Sequence, residues 1–330
     1  MINSIQCLRG VAAIAVVIYH LNAVQLRYFS DNILPWFTTY GYLGVQIFFM
    51  ISGFIMMYIL DQRKFLVKPF EFLRARLIRI VPTYWLITLL IFIVAQIYPN
   101  LVNSSYTSKP SLAKSLLFIP QETNPWLNVG WSLEYEVFFY VIIAVLLICA
   151  SSRHLKFLLV TTLLIVALPL KWTSNSIIDS FLDPIVLWFV IGVIIQVFWK
   201  NYNDKNFKYI LLVLPLSALT LAYENRFKDF DMIMLHFVLV CVFCSALLIE
   251  EHIPKQMGRV FDYFGKISYS LYLTHVLSLN ISLIFLTRFM KLQNPIMVNF
   301  LTLLFVIFIA LVFYEEIEKK FQSIIRRYND

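Results

Sequence analysis

Leu8-Arg-Gly-Val-Ala-Ala-Ile-Ala-Val-Val-Ile-Tyr-His-Leu-Asn-Ala-Val-Gln-Leu26 is an apolar run carrying an arginine near its start and a histidine near its middle. A run of this length crosses a bilayer as an α-helix, and an ionisable group inside one is costly to keep. Arg9 and His20 are almost three helical turns apart, so they leave nearly the same face, with a rise between them of roughly 16 Å. That places a guanidinium at one membrane surface and an imidazole about halfway across, a layout for chemistry inside a membrane. The plainer reading makes Arg9 a snorkelling topology signal and His20 a partner for a neighbouring carbonyl. The run reads as a retained first span, because it is too long for a signal core and lacks a small-x-small cleavage site.

Composition agrees with that start. Apolar residues make up 60% of the chain and charged residues 14%, with a mean hydropathy of +0.77. Soluble domains are nearer a quarter charged. The 30 Phe and 18 Tyr suit lipid-facing surfaces and interfacial belts. The net charge of +8 raises nucleic acid as a partner, but the basic residues sit in short loops between apolar runs. The charge is read as membrane topology, with membrane lipids as the surroundings and no nucleic acid.

The fold class expected is all-α: a polytopic transmembrane helix bundle of about ten spans, at 8–27, 41–60, 79–98, 129–150, 156–172, 178–199, 209–224, 232–249, 267–290 and 295–314. The fifth and seventh are short and contain Pro169 and Pro215, so they are candidates for kinked or half-length spans. With both termini cytoplasmic, the inner loops and tail hold 18 Lys and Arg against 8 outside, as the positive-inside rule demands. The longest outer loop, 99–128, has room for a short interfacial helix around 111–118 and for no separate fold. The whole chain, 1–330, is therefore read as one integral membrane domain. Cys7, Cys149, Cys241 and Cys244 fall in or near helices and form neither a disulfide framework nor a zinc pattern; no metal is expected.

Three further polar features stand against the apolar background. Arg76 and Arg79, three apart at the mouth of the third span, are neighbours on a helix face, with Arg74 farther round. Arginines in that position bind phosphate bidentately, or serve topology and anionic lipids. Pro82, a turn later, is expected to bend the span. Glu134 and Glu136 begin the fourth span within Trp131-Ser-Leu-Glu-Tyr-Glu-Val-Phe-Phe-Tyr140. At i, i+2 they point to different faces, one expected toward the bundle interior and one toward the interface; a carboxylate beside His20 would orient its ring. Tyr269, Tyr272 and His275 form an i, i+3, i+6 stripe, with His275 at a depth similar to His20. The stripe either faces a polar cavity or joins helices by hydrogen bonds. His154 and His252 fall in loops, and His236 reads as packing.

In order along the chain come Arg9-Gly through His20, Gly41-Tyr-Leu-Gly-Val-Gln-Ile-Phe-Phe-Met-Ile-Ser-Gly53, Arg76-Leu-Ile-Arg-Ile-Val-Pro82, Trp131 through Tyr140 and Ser268-Tyr-Ser-Leu-Tyr-Leu-Thr-His275. This series resembles acyltransferase family 3, the multi-span membrane O-acyltransferases, and most closely its exopolysaccharide-modifying branch. The resemblance implies that His20 is catalytic with Arg9 as its partner, that Arg76 and Arg79 contact the acyl-CoA, and that Glu136 is the motif carboxylate; in the combined mechanism Arg74 or Arg9 joins them on the phosphates of acetyl-CoA. Gln46 stands where the family usually has Asp, which leaves this chain an amide in that place.

The combined expectation is a membrane O-acetyltransferase moving an acetyl group from cytoplasmic acetyl-CoA to a hydroxyl of an exported or lipid-linked glycan. The acceptor is expected against Trp131, Glu134, Tyr140, Tyr272 and His275. His20 acts as general base or as transient acyl carrier. The expected location is a bacterial cytoplasmic (inner) membrane, with the polysaccharide assembly machinery as a partner. The competing class is a transporter of an anionic or lipid-linked glycan, though corresponding broken helices in two halves are not evident.

Overall fold

Within lipid a backbone has only itself for hydrogen bonding, so long apolar runs fold as helices. The computed structural model describes residues 2–29, 40–98, 109–149, 159–163, 183–201 and 230–327, and among these all regular structure is helical. The principal helices are α1 (Asn3–Gln25), α2 (Gly44–Gln62), α3 (Pro69–Ile97), the short α4 (Leu112–Leu116), α5 (Trp131–Cys149), α6 (Leu187–Asn201), α7 (Phe230–Ile249), α8 (Lys255–Ile284), α9 (Pro295–Phe313) and α10 (Lys319–Arg327).

Six helical stretches among the described residues are long and apolar enough to cross a membrane: Asn3–Gln25, Gly41–Gln62, Pro69–Ile97, Asn128–Cys149, Lys255–Phe289 and Pro295–Ser323. They coincide with the first four and last two runs read from the sequence. The sixth and eighth runs overlap the apolar helices Pro184–Lys200 and Phe230–Ile249. Most of the fifth run and all of the seventh, with Pro169, Pro215 and His154, lie outside the described residues.

At the centre, α1 lies along α8, α8 along α9, and α2 along α6. Helices α1 and α8 run parallel. Gly258 meets Asn3, Gly265 meets Gln6, and the His275 ring meets that of His20. The two orphan amides that open α1, Asn3 N and Ser4 N, donate to Glu250 Oε1 and Oε2 at 2.9 and 2.6 Å. A carboxylate from the turn after α7 thereby caps α1 and opposes its dipole.

Helices α2 and α6 cross at two glycines. A Cβ on Gly53 would lie 2.2 Å from the Phe189 carbonyl oxygen, and one on Gly192 2.1 Å from that of Met50. Small residues at such a crossing let backbones approach where lipid supplies no hydrophobic drive. Lys200 then pairs with the buried Asp61 at 2.7 Å and fixes the ends of the same two helices. Helix α3 continues through Pro82. The Tyr269 hydroxyl donates to the Ile80 carbonyl oxygen at 2.8 Å and ties this stretch to α8. On the far half of α3, Tyr84 and Trp85 donate to carbonyls of Ser115 and Leu116, so α4, inside the expected 111–118 segment, is held down on the bundle. The exposed apolar faces of α3 (Leu86, Leu89, Leu90, Ile93) and α9 (Phe300, Leu304, Phe308) suit contact with lipid.

Candidate active site

Two adjoining cavities lie between α1, α2, α5 and α8, the first also bounded by α3. The first, about 70 Å³, is lined by Arg9, Ser52, Arg79, Glu136, Tyr140 and Tyr269 among others; the second, about 310 Å³, by Tyr19, His20, Tyr42, Gln46, Val129 and Trp131. Val45 and Tyr272 line both and form the wall between them. The Tyr272 hydroxyl is fixed in that wall, 2.8 Å from Ser132 Oγ and donating to the Val129 carbonyl oxygen at 3.2 Å. Phe48 packs its ring edge-on against Tyr272.

The helical period places these groups. Arg9 and His20, nearly in line on α1, each reach a different one of the two cavities. The stripe on α8 follows the same course: Tyr269 faces the arginine cavity, Tyr272 the wall, and His275 the His20 ring.

In the arginine cavity, Glu136 Oε1 accepts from Ser52 Oγ at 3.0 Å and from the Tyr140 hydroxyl. Arg9 is in electrostatic reach of Arg79 as a like charge and of Glu136 and Glu318 as opposite charges. Among the described residues, neither Arg9, Arg76 nor Arg79 makes a direct ion pair. Arg9 has only a long hydrogen bond to Gln6 Oε1, at 3.5 Å. The nearby carboxylates are held by hydroxyl and amide donors instead, which leaves guanidinium valence for an anionic ligand.

In the second cavity, His20 is half-buried and Gln46 presents a side-chain oxygen, Oε1, that is buried without a partner. The His20 ring centroid is 5.1 Å from that of His275 and 5.2 Å from that of Tyr19. His275 is fully buried; its Nδ1 lies 3.2 Å from the Leu271 carbonyl oxygen, and its Nε2 has no partner. A carbonyl can only accept, so this contact assigns the proton to Nδ1.

Several expected site residues gather here and others stand aside. Arg9, Arg79, Glu136 and Tyr140 share the first cavity, His20 and Trp131 the second, and Tyr272 borders both. The expectation of a carboxylate beside His20 is corrected: Glu136 lies with Arg9, and the ring neighbour of His20 is His275. The expected split of Glu134 and Glu136 between interior and interface is corrected as well. Glu134 is buried, with Oε1 unpartnered, and Glu136 lines a cavity. Glu134, Arg76 and Arg74 line neither cavity. Arg76 is half-buried with Nε unpartnered and feels Tyr140 and Glu136, whereas Arg74 is exposed. His236 packs edge-on against Trp188. Among the described residues no three His, Cys, Asp or Glu gather as metal ligands would.

Tyr19 and Tyr42 of the second cavity escaped the sequence reading, as did Ser52 in the first and Glu318 behind it. Ser52, a small polar residue in an apolar helix, holds Glu136. Glu318, 3% exposed, bonds to Ser270 Oγ and Gln322 Nε2. Spacing carries a signal for Glu318: Glu315 and Glu316 each find a lysine four residues on, while Glu318 finds Gln322.

Comparison with known proteins agrees with the class to which the motifs and the helices point. A family described as an acyltransferase domain matches residues 2–315. The chain is 32% identical over 262 residues to the exopolysaccharide production protein ExoZ of Rhizobium meliloti (strain 1021), covering 74% of this chain and 78% of that protein. It is 27% identical over 294 residues to "Putative acetyltransferase ORF330" of Acidianus two-tailed virus, covering 82% and 81%. A third relative, "Putative O-acetyltransferase SACOL0978" of Staphylococcus aureus (strain COL), is 25% identical over 359 residues, which cover 96% of this chain and 56% of that longer protein. No solved structure matches. With motifs in order, helices long enough to span a membrane and a family match over nearly its whole length, the chain belongs to acyltransferase family 3 and is a membrane-embedded enzyme of the acyl-transfer class.

Proposed function

We propose that this protein is an O-acetyltransferase that carries an acetyl group from acetyl-CoA to a hydroxyl of a cell-surface or exported glycan. The observation that carries the proposal is the pair of cavities meeting at Tyr272, one lined by unpaired arginines and the other by His20. Arg9 and Arg79 hold the phosphates of the donor, with Arg76 adding charge from behind. The thioester then extends toward the Tyr272 wall. The acceptor occupies the roomier cavity against Trp131 and Gln46, whose free Oε1 accepts a hydrogen bond from a sugar hydroxyl.

His20 removes the proton of the attacking hydroxyl, and the oxygen bonds to the thioester carbonyl carbon. The carbon–sulfur bond breaks, and the departing CoA sulfur takes the proton back from His20. Glycan ester and CoA are the products. His275, with its Nδ1 proton committed to Leu271, offers only an Nε2 lone pair, which favours the cationic state of His20 at the moment it forms. The general-base route follows from seating the acceptor beside His20, which does not line the arginine cavity.

The name of ExoZ supports an exopolysaccharide-type acceptor, the family resemblance supports a bacterial cytoplasmic membrane, and the excess of Lys and Arg in the expected inner loops supports an arginine cavity facing inward. The test is protein in nanodiscs with radiolabelled acetyl-CoA and a membrane glycan extract. Label passes to glycan with the wild type and not with His20→Ala. Equal labelling by His20→Ala overturns the assignment of His20, and folded wild type that neither binds nor consumes acetyl-CoA overturns the function.

A further inference from the structure

Glu318 lines neither cavity, yet it lies in electrostatic reach of the two arginines that line the first. It ends a π-helical turn, Tyr314–Glu318, between α9 and α10. Such wide turns often occur at functional sites. The residue is 3% exposed, and its carboxylate is tethered by Ser270 Oγ and Gln322 Nε2. It is in electrostatic reach of Arg79 and Arg9 yet pairs directly with neither. A buried carboxylate within electrostatic reach of two arginines gains by pairing with them, because direct pairing repays part of the desolvation. Here the Ser270 hydroxyl on α8 and the Gln322 amide hold it back.

We infer that Glu318 is a positioning residue that sets the charge of the donor cavity: held off by Ser270, it offsets the arginines without taking the place of a donor phosphate. The inference rests on the acetyl-CoA reading above. Acetyl-CoA and CoA carry the same phosphates, so an arginine site holds substrate and product alike. Such uniform binding lowers KM while retaining the product. A fixed negative charge behind the arginines weakens both equally and lets CoA leave. Were Ser270 absent, the carboxylate would swing onto the arginines and compete with phosphate.

The two tethering features predict opposite signs. Glu318→Gln keeps the shape and the amide-compatible hydrogen bonds while removing the charge; the KM for acetyl-CoA and the inhibition constant of CoA both fall, by about fivefold at moderate salt. Ser270→Ala raises both. Binding of adenosine 3′,5′-bisphosphate, which carries phosphates and no thioester, is measured on the same nanodisc samples and moves in the same two directions. A drop in kcat with unchanged KM, CoA inhibition and bisphosphate binding identifies a structural role and overturns the inference. So do unchanged constants throughout, or both variants moving in the same direction. If the wild type binds the bisphosphate and Glu318→Gln tightens it while acetyl-CoA is not consumed, the acetyl-transfer reading fails and the role of Glu318 stands. Normal turnover with unshifted binding fails Glu318 alone.

Discussion

At the scale of the residue, function turns on which polar groups lack partners inside an apolar bundle. Arg79 lines the first cavity and, among the described residues, forms no ion pair; if that cavity holds the donor as proposed, Arg79→Gln is expected to weaken acetyl-CoA binding by roughly ten- to a hundredfold, the worth of a charge-assisted bidentate contact. Equilibrium binding of labelled donor measures it. Tyr272 lines both cavities and is pinned by Ser132 and Val129, and in the proposed mechanism it stands between donor and acceptor. Tyr272→Ala joins the two cavities, so His20-dependent release of CoA without acceptor should rise while transfer to glycan falls. A thiol-reactive dye follows the first and radiolabel the second. Much of this was legible in the chain: the Arg9–His20 interval and the Tyr269–Tyr272–His275 stripe depend only on helical period, and a period survives folding. The neighbour of His20 was not, because a sequence does not say which of two buried ionisable groups, Glu136 or His275, another helix will carry to the ring. Glu318 was hidden for a different reason. An acidic residue in a charged tail has the composition of a solvated face, and only the broken i, i+4 pairing marks it.

At the scale of the element, close helix crossings hold the cavities open to the right width. Gly53→Ala places a methyl against the Phe189 carbonyl, where backbone rather than a flexible side chain must give way. The expected cost is about 1–3 kcal/mol, read as a lower midpoint of thermal unfolding in detergent with the wild-type lipid composition. Glu250→Ala leaves two amides at the start of α1 without their acceptor and is expected to cost about 1–2 kcal/mol. Because α1 carries both Arg9 and His20, that variant should also lose more activity than its stability alone accounts for. The helices themselves could be read from apolar run length. Their closeness could not, since Gly53 and Gly192 identify a tight crossing only once α2 and α6 are known to be partners. Pro82, which cannot donate to the helical ladder, lies inside α3, and the helix continues past it to Ile97.

At the scale of the whole molecule, the bundle brings a charged cavity and a histidine cavity into contact across one wall, and that wall is where we place acyl transfer. The order of motifs along the chain carried the class, because five short signatures in sequence on long apolar helices leave few alternatives. The two cavities became visible only in three dimensions, from Val45 of α2 and Tyr272 of α8, which line both. The most direct measurement separates binding from chemistry in one preparation: acetyl-CoA affinity and single-turnover CoA release for wild type, His20→Ala and Arg79→Gln in nanodiscs. His20→Ala is expected to bind donor as wild type does and to release no CoA, whereas Arg79→Gln loses affinity and regains turnover when donor is raised. If His20→Ala loses donor binding while Arg79→Gln retains it, the roles of the two cavities are reversed and the mechanism is wrong.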